Sequence, residues 1–266
     1  MDGYRDQVYL LNTQYKDATN LGARIELHRH FSSNKYGWHH WVFDQFKLDE
    51  GSKLLELGCG PGLLWLSNRE RMPTSWQITL TDFSAGMLQE AHQRLGEERF
   101  AYEVADAQAL PFADASFDAV IANHMLYHVP DLPRALAEIR RVLKPAGRFY
   151  ASTIGREHMR ELDELIWKCW PNSHWKGWGK SSPFILENGQ EVLTPFFGQA
   201  ALHIYEDALE VTEAEPLAAY AFSGRLGSLL SSEERATVTD LIRQELAERG
   251  TIHITKSSGM FEAQKA

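Results

Sequence analysis

The hydrophobic pattern changes character along this chain. Between residues 52 and 153, short apolar runs alternate with amphipathic stretches. The runs 53–57, 76–82, 100–106, 117–123 and 147–153 are brief, rich in branched or aromatic residues, and close on a polar or glycine position. Such runs read as strands, and the intervening helical segments give a βαβ rhythm that implies a parallel sheet. The fifth run follows a Lys144-Pro145-Ala146-Gly147 turn. Right-handed crossovers would deliver every strand's C-terminal end to one edge, collecting Gly58, Asp82, Asp106 and Asn123 there.

On either side the pattern is mostly helical. Residues 17–31 place Leu21, Ile25 and Leu27 at helical intervals, 33–37 interrupt, and 38–46 resume as an aromatic-rich helix. After the core, 157–169, 183–197, 214–222 and 233–249 read as helices. Residues 202–205 and 208–211 read as a sixth strand with an irregularity, and 251–255 and 259–263 form or flank the last strand. The chain divides into 1–51, 52–153 and 154–266.

The richest chemistry follows the first strand. Gly58, Gly60 and Gly62 make a G-x-G-x-G turn, with Cys59 as a small spacer inside it. Glycines there permit positive φ and close approach of a ligand to the backbone. The apolar run 63–66 can open a helix whose first N–H groups face that ligand. The dinucleotide fingerprint wants its third glycine where Leu63 stands. Glu56, just before the turn, would repel a pyrophosphate but pair with a cation. The combination disfavours NAD or FAD and favours a positively charged, phosphate-free nucleoside. Asp82, ending the second strand, can accept both hydrogen bonds of a ribose diol, and Ser84 can cap the next helix. Asp106 and the backbone at Ala107 can meet an adenine amino group and ring nitrogen.

Four ordered segments carry a family resemblance: LLELGCGPG at 54–62, ITLTDFSAGML at 78–88, VADAQALPFADASFDAVIANHMLYHVPD at 104–131 and AEIRRVLKPAGRFYAST at 137–153. They resemble class I S-adenosylmethionine-dependent methyltransferases, especially the small-molecule branch that includes the ubiquinone and menaquinone methylating enzymes. The resemblance implies an α/β fold with a Rossmann-like, mostly parallel seven-stranded sheet flanked by helices. An antiparallel seventh strand would lie between the fifth and sixth. An N-terminal helical cap (1–51) and a cap insertion between strands five and six would flank the S-adenosylmethionine-binding core (52–153), with 154–266 completing the sheet. Glu56, Gly58, Gly60 and Gly62 would line the methionine side. Asp82 would hold the ribose, Phe83 and Met87 would pack near adenine, and Asp106 and Ala107 would read its edge. Asn123, with the backbone around His124, would lie beside the methionine moiety and the acceptor. Tyr15, His28, Tyr36 and Trp38 become candidates for a cover over the cofactor mouth; each is equally a packing residue.

Composition narrows the acceptor. The 266-residue chain is 44% hydrophobic with a formal charge of −9, a globular balance that argues against a polyphosphate partner. The N-P-P-Y-like motif of many base-amino methyltransferases is absent after strand four. A small, partly apolar or aromatic metabolite is the leading acceptor. The alternatives are an RNA or protein methyltransferase and a non-catalytic regulator that binds S-adenosylmethionine. The Trp175–Lys180 run, with aromatics beside lysines, is the feature an RNA partner would use. The tryptophans at 38, 41, 167, 170, 175 and 178 could line an aromatic or prenyl chamber, cage a cationic amine, or pack helices. Trp175, Trp178 and Phe184 are taken as substrate contacts. His124 and His128, four apart, would share one side of a helix, with His124 nearest the methyl as a base and His128 supporting the turn. No third ligand at a convincing interval supports a metal. Two cysteines, no signal-peptide core and no run of membrane-spanning length suggest a cytoplasmic protein.

Overall fold

The computed structural model of the protein describes residues 6–16, 19–170, 177 and 182–266. A short helical segment, α1 (Gln7–Tyr9), runs on as a π-helical turn over Leu10–Gln14 and is followed by α2 (Thr19–Phe31) and α3 (Trp38–Asp44). The core then alternates β1 (Lys53–Leu57), α4 (Leu63–Ser67), β2 (Gln77–Asp82), α5 (Ala85–Leu95), β3 (Phe100–Val104), β4 (Phe117–Asn123), α6 (Leu132–Val142) and β5 (Leu143–Ile154). Next come α7 (Arg160–Cys169), α8 (Gly189–Phe197), β6 (Ala200–Tyr205), β7 (Ala208–Val211), α9 (Ala214–Phe222), α10 (Arg225–Leu229), α11 (Ser232–Arg249), β8 (Ile252–Thr255) and β9 (Ser258–Gln264).

Among the described residues the main sheet has seven strands in the order β3-β2-β1-β4-β5-β9-β6. β1 to β5 are parallel, and β9 runs antiparallel between β5 and β6. This is the Rossmann-like sheet expected, with its reversed strand in the expected place. β1 sits at the centre and buries Leu54, Leu55, Glu56 and Leu57 in succession, the near-continuous burial of a parallel strand covered on both faces. Alternate residues feed two cores. Leu55, Val120 and Phe149 pack towards α6 and α8, while Leu54, Ile121 and Tyr150 pack towards α3, α4 and α5. α6 is placed by its stripe of Leu132, Ala135, Leu136, Ile139 and Val142, and Asp131 caps it by accepting from Arg134 N at 3.1 Å.

A third core lies in the cap, where Leu27 and Phe31 of α2 pack with α7, α9, α11, β7 and β8. The cap therefore draws on the N-terminus as well as the later insertions. Three expectations change. Residues 208–211 do not extend the sixth strand; β7 leaves the main sheet and pairs with β8. A second insertion, from β7 to β8, thus lies between the sixth and seventh strands. The turn at 144–147 is carried inside β5 as an irregularity opposite Phe117–Ala119, with Ala146 at φ +60.

Candidate active site

A cavity of about 710 Å³ opens at the C-terminal edge of the parallel strands. Its floor is the glycine turn. Gly58, Gly60 and Gly62 all have positive φ, +65, +53 and +75. Their surroundings separate their roles. A Cβ on Gly58 would lie 2.8 Å from Met125 and one on Gly62 would lie 2.6 Å from Leu95, whereas one on Gly60 would meet only Leu21 at 3.6 Å. Gly62 thus lets α4 pack on α5 and lies off the cavity lining, while Gly60 keeps the backbone open to a ligand. α4 is only five residues long, so the turn and its carboxylates dominate over any helix dipole.

Glu56 lines the cavity but is buried, and its Oε2 accepts from Trp65 Nε1 at 2.5 Å. Burial pushes its pKa up to about 8, partly offset by the Trp65 hydrogen bond, with Asp82 adding upward. Asp82 accepts from Gly60 N (2.9 Å) through Oδ2 and from Ser84 N (2.8 Å) through Oδ1, tying β2 to the turn. Burial raises its pKa against the pull of those amides. Ser84 caps α5 through Met87 N. Phe83, Met87, Cys59, Asp106, Ala107 and Asn123 also line the cavity. Burial holds the Cys59 thiol well above its usual range, as befits a spacer.

The N-terminal segment closes over this edge. Ser84 Oγ donates to Tyr15 O at 2.8 Å, Gln7 Nε2 reaches Asp106 Oδ2 at 3.4 Å, and Tyr15 OH shares a 2.9 Å hydrogen bond with His128 Nε2. Trp38 donates from Nε1 to Asn123 Oδ1 at 3.2 Å, and that oxygen also receives Ser152 Oγ at 2.6 Å. The Trp38 ring lies 4.7 Å from His124 and 5.3 Å from Tyr205, giving the cavity an aromatic wall.

Tyr15, His28, Trp38, His124 and His128 thus meet at one cavity; Tyr36 and Phe184 do not. Tyr36 is half exposed and bonded to Asp44. Phe184 is fully buried against Phe261 in the α6–α8 core. Trp175 and Trp178 lie outside the described residues. His124 and His128 do not share a helix face: His124 has φ +54, and a single 3₁₀ turn, Leu126–His128, follows. Desolvation, with Lys256 and His39 nearby, pushes His124 down to about 3. Burial thus holds the His124 ring in its neutral form. Sequence reasoning missed Arg24, His158, Tyr205, Tyr220 and Lys256, which also line the cavity. Among the described residues no group of three or more His, Cys, Asp or Glu could hold a metal, and no helix is long and apolar enough to cross a membrane.

Residues 55–151 match the family model described as "Methyltransferase domain". The malonyl-[acyl-carrier protein] O-methyltransferase of Erwinia pyrifoliae is 35% identical over 150 residues, covering 56% of this chain and 52% of that protein. The ubiquinone/menaquinone biosynthesis C-methyltransferase of Desulfotalea psychrophila is 37% identical over 111 residues, covering 42% and 45%. The chain thus spans about half the length of the curated relatives it matches. Among solved structures, phosphoethanolamine N-methyltransferase 2 of Haemonchus contortus shares the fold with a TM-score of 0.58 at 20% identity, over 98% of this chain and 60% of that one. The fold and the glycine-turn site define a class I S-adenosylmethionine-dependent methyltransferase domain. The chain is related to the small-molecule ubiquinone and menaquinone methyltransferases, and S-adenosylmethionine is its cofactor.

Proposed function

We propose that this protein transfers a methyl group from S-adenosylmethionine to a small, partly apolar or aromatic metabolite, in the cytoplasm. One observation carries the reading: the glycine turn with Asp82 and Asp106 and the aromatic wall of Trp38, His124 and Tyr205 line the same cavity. Glu56, the turn amides, Asp82 and Asp106 suit a ligand with a cationic end, a diol and a base, in that order along the sheet edge. When bound, S-adenosylmethionine supplies a methyl carbon activated by its sulfonium: an acceptor lone pair forms the new bond, and the carbon–sulfur pair returns to sulfur as a neutral thioether. The protein's part is alignment and exclusion of water. The Tyr15–His128 hydrogen bond holds the cover to the loop after β4, and Trp38 locked on Asn123 fixes the wall next to the methyl position. With His124 held neutral and weakly basic, the acceptor reacts in an already nucleophilic form. Transfer of label from S-[methyl-³H]adenosylmethionine to a panel of aromatic, isoprenoid and amine acceptors tests this. Labelling of a small acceptor supports it; labelling of RNA or protein alone refutes it.

A further inference from the structure

One wall of the cavity carries polar groups that neither the glycine turn nor the cover uses. His28 on α2, His158 in the loop after β5, and Gln14 all line the cavity. Nδ1 of both histidines and both side-chain polar atoms of Gln14 are buried without a hydrogen-bond partner. Buried polar atoms are rarely left so, and those facing a cavity mark where a ligand or water supplies the missing bond. The two imidazoles lie 6.4 Å apart, and His28 stands edge-on to Tyr220 at 5.6 Å.

The field in this wall has a sign. Lys256, from the turn between β8 and β9, lines the same cavity, pairs with Asp207, and lies 5.4 Å from the Tyr205 ring. Asp207 is already occupied: Ser32 Oγ (2.5 Å), Ser33 Oγ (3.2 Å), Asn34 N (2.9 Å) and Ala208 N (2.9 Å) also donate to it. Desolvation holds His28 well below its ordinary range, and Lys256, His158, His124 and Arg24 push the same way. His158 is driven to about 3 by burial with Lys256 and His124 adding, while the Ser257 backbone and Asp207 oppose. A cationic amine here would face Lys256, Arg24 and the cofactor's own sulfonium. An anion would meet all three favourably. With Asp207 offsetting much of the lysine, the residual charge matches a monoanion better than a dianion.

We propose that His28 and Lys256 form the recognition subsite for the methyl acceptor and that it takes a carboxylate, with the lysine and the His28 imidazole in its Nδ1–H form donating to it. This rests on the methyltransferase reading and narrows it to acidic acceptors with an apolar or aromatic body.

The test is calorimetry on the full chain saturated with S-adenosylhomocysteine, titrating matched acids and primary amides: 4-hydroxybenzoate, phenylacetate and hexanoate against their amides. At least one acid should bind about tenfold or more tighter than its amide. Lys256→Gln should bring that ratio to about twofold or less, with affinity for S-adenosylhomocysteine unchanged. Because Lys256→Gln strands Asp207 and could unfold the cap, His28→Phe, which keeps the ring and removes the donor, provides a second reading and should cut the ratio several-fold. Equal binding of acids and amides, no binding by any pair, or a preference that survives both substitutions overturns the subsite. If wild-type protein fails to bind S-adenosylhomocysteine, the methyltransferase reading itself falls, and the subsite with it.

Discussion

Cofactor binding should release a proton from Glu56. The carboxyl ends β1, is buried, and holds Trp65 Nε1 at 2.5 Å. With its pKa near 8, it is about nine-tenths protonated near neutral pH in the ligand-free protein. The α-ammonium of S-adenosylmethionine placed against it would favour the charged form and draw the value back towards 4.5 or below. Most of a proton per bound cofactor should therefore leave at about pH 7, less the small fraction that completes protonation of the cofactor's α-amino group, and none at about pH 9.5, where Glu56 is already ionised and the free α-amino group takes up a proton instead. Calorimetric titrations in phosphate and in Tris, whose ionisation enthalpies differ widely, measure this directly from the dependence of binding heat on buffer. Glu56→Gln keeps an acceptor for Trp65 and should abolish the release. It should also weaken binding by about 1.5–3 kcal/mol, the worth of a charge-assisted hydrogen bond. A wild-type release near zero, or an equal release in Glu56→Gln, refutes the placement of the ammonium on Glu56.

Three other outcomes follow from the same geometry. His124 and His158 are held neutral with values near 3, well below the 6.5 of an ordinary imidazole. Their contribution to stability is complete above about pH 6.5 and declines as pH falls towards 3, by up to about 1.4 kcal/mol per unit for each. Urea unfolding across this range should show a slope that flattens in His124→Gln/His158→Gln; an unchanged slope contradicts the burial of these rings. Gly62→Ala places a Cβ 2.6 Å from Leu95 at φ +75 and should cost about 2–4 kcal/mol in denaturant unfolding. Gly60→Ala should cost about 1–2 kcal/mol, mainly through its left-handed backbone; equal losses would contradict the separate roles of the two glycines. Tyr15→Phe removes the bond to His128 and should lower kcat about tenfold or more while cofactor affinity changes little. A fall in affinity with kcat intact would make Tyr15 a cofactor ligand instead.

The sheet was legible because its strands are buried on both faces and so stand out as short apolar runs, as at 53–57 and 117–123. The glycine turn was legible because three positive-φ positions need glycine or sit against close neighbours. The cap was harder. Glu206-Asp207 reads as an exposed turn, yet the Asp207 carboxylate is fully buried, held by several donors from the loop after α2 and the β8–β9 turn. This junction diverts β7 from the main sheet. Lys256, in Thr255-Lys256-Ser257-Ser258, likewise looks like a surface lysine until that carboxylate is placed beside it. Four-residue spacing made His124 and His128 look like helical neighbours; the left-handed backbone at His124 follows from β4 ending under Ser152, whose Oγ receives His124 N at 2.9 Å. Phe184 was read as a chamber residue because core and chamber draw on the same aromatic types. Its burial depends on Phe261, 77 positions away in sequence, and local pattern carries no trace of that pairing.

The edge formed by the glycine turn and Asp82 is where S-adenosylmethionine is expected to bind. Asp82 fixes Gly60 N and Ser84 N and is the group expected to take the ribose. The most direct measurement is calorimetric binding of S-adenosylmethionine and S-adenosylhomocysteine to the wild type and to Asp82→Ala, with circular dichroism confirming that both are folded. One-to-one binding of both ligands, weakened about a hundredfold or more in the folded variant, is the expected result. No binding to the wild type, or equal affinity in Asp82→Ala, would contradict it.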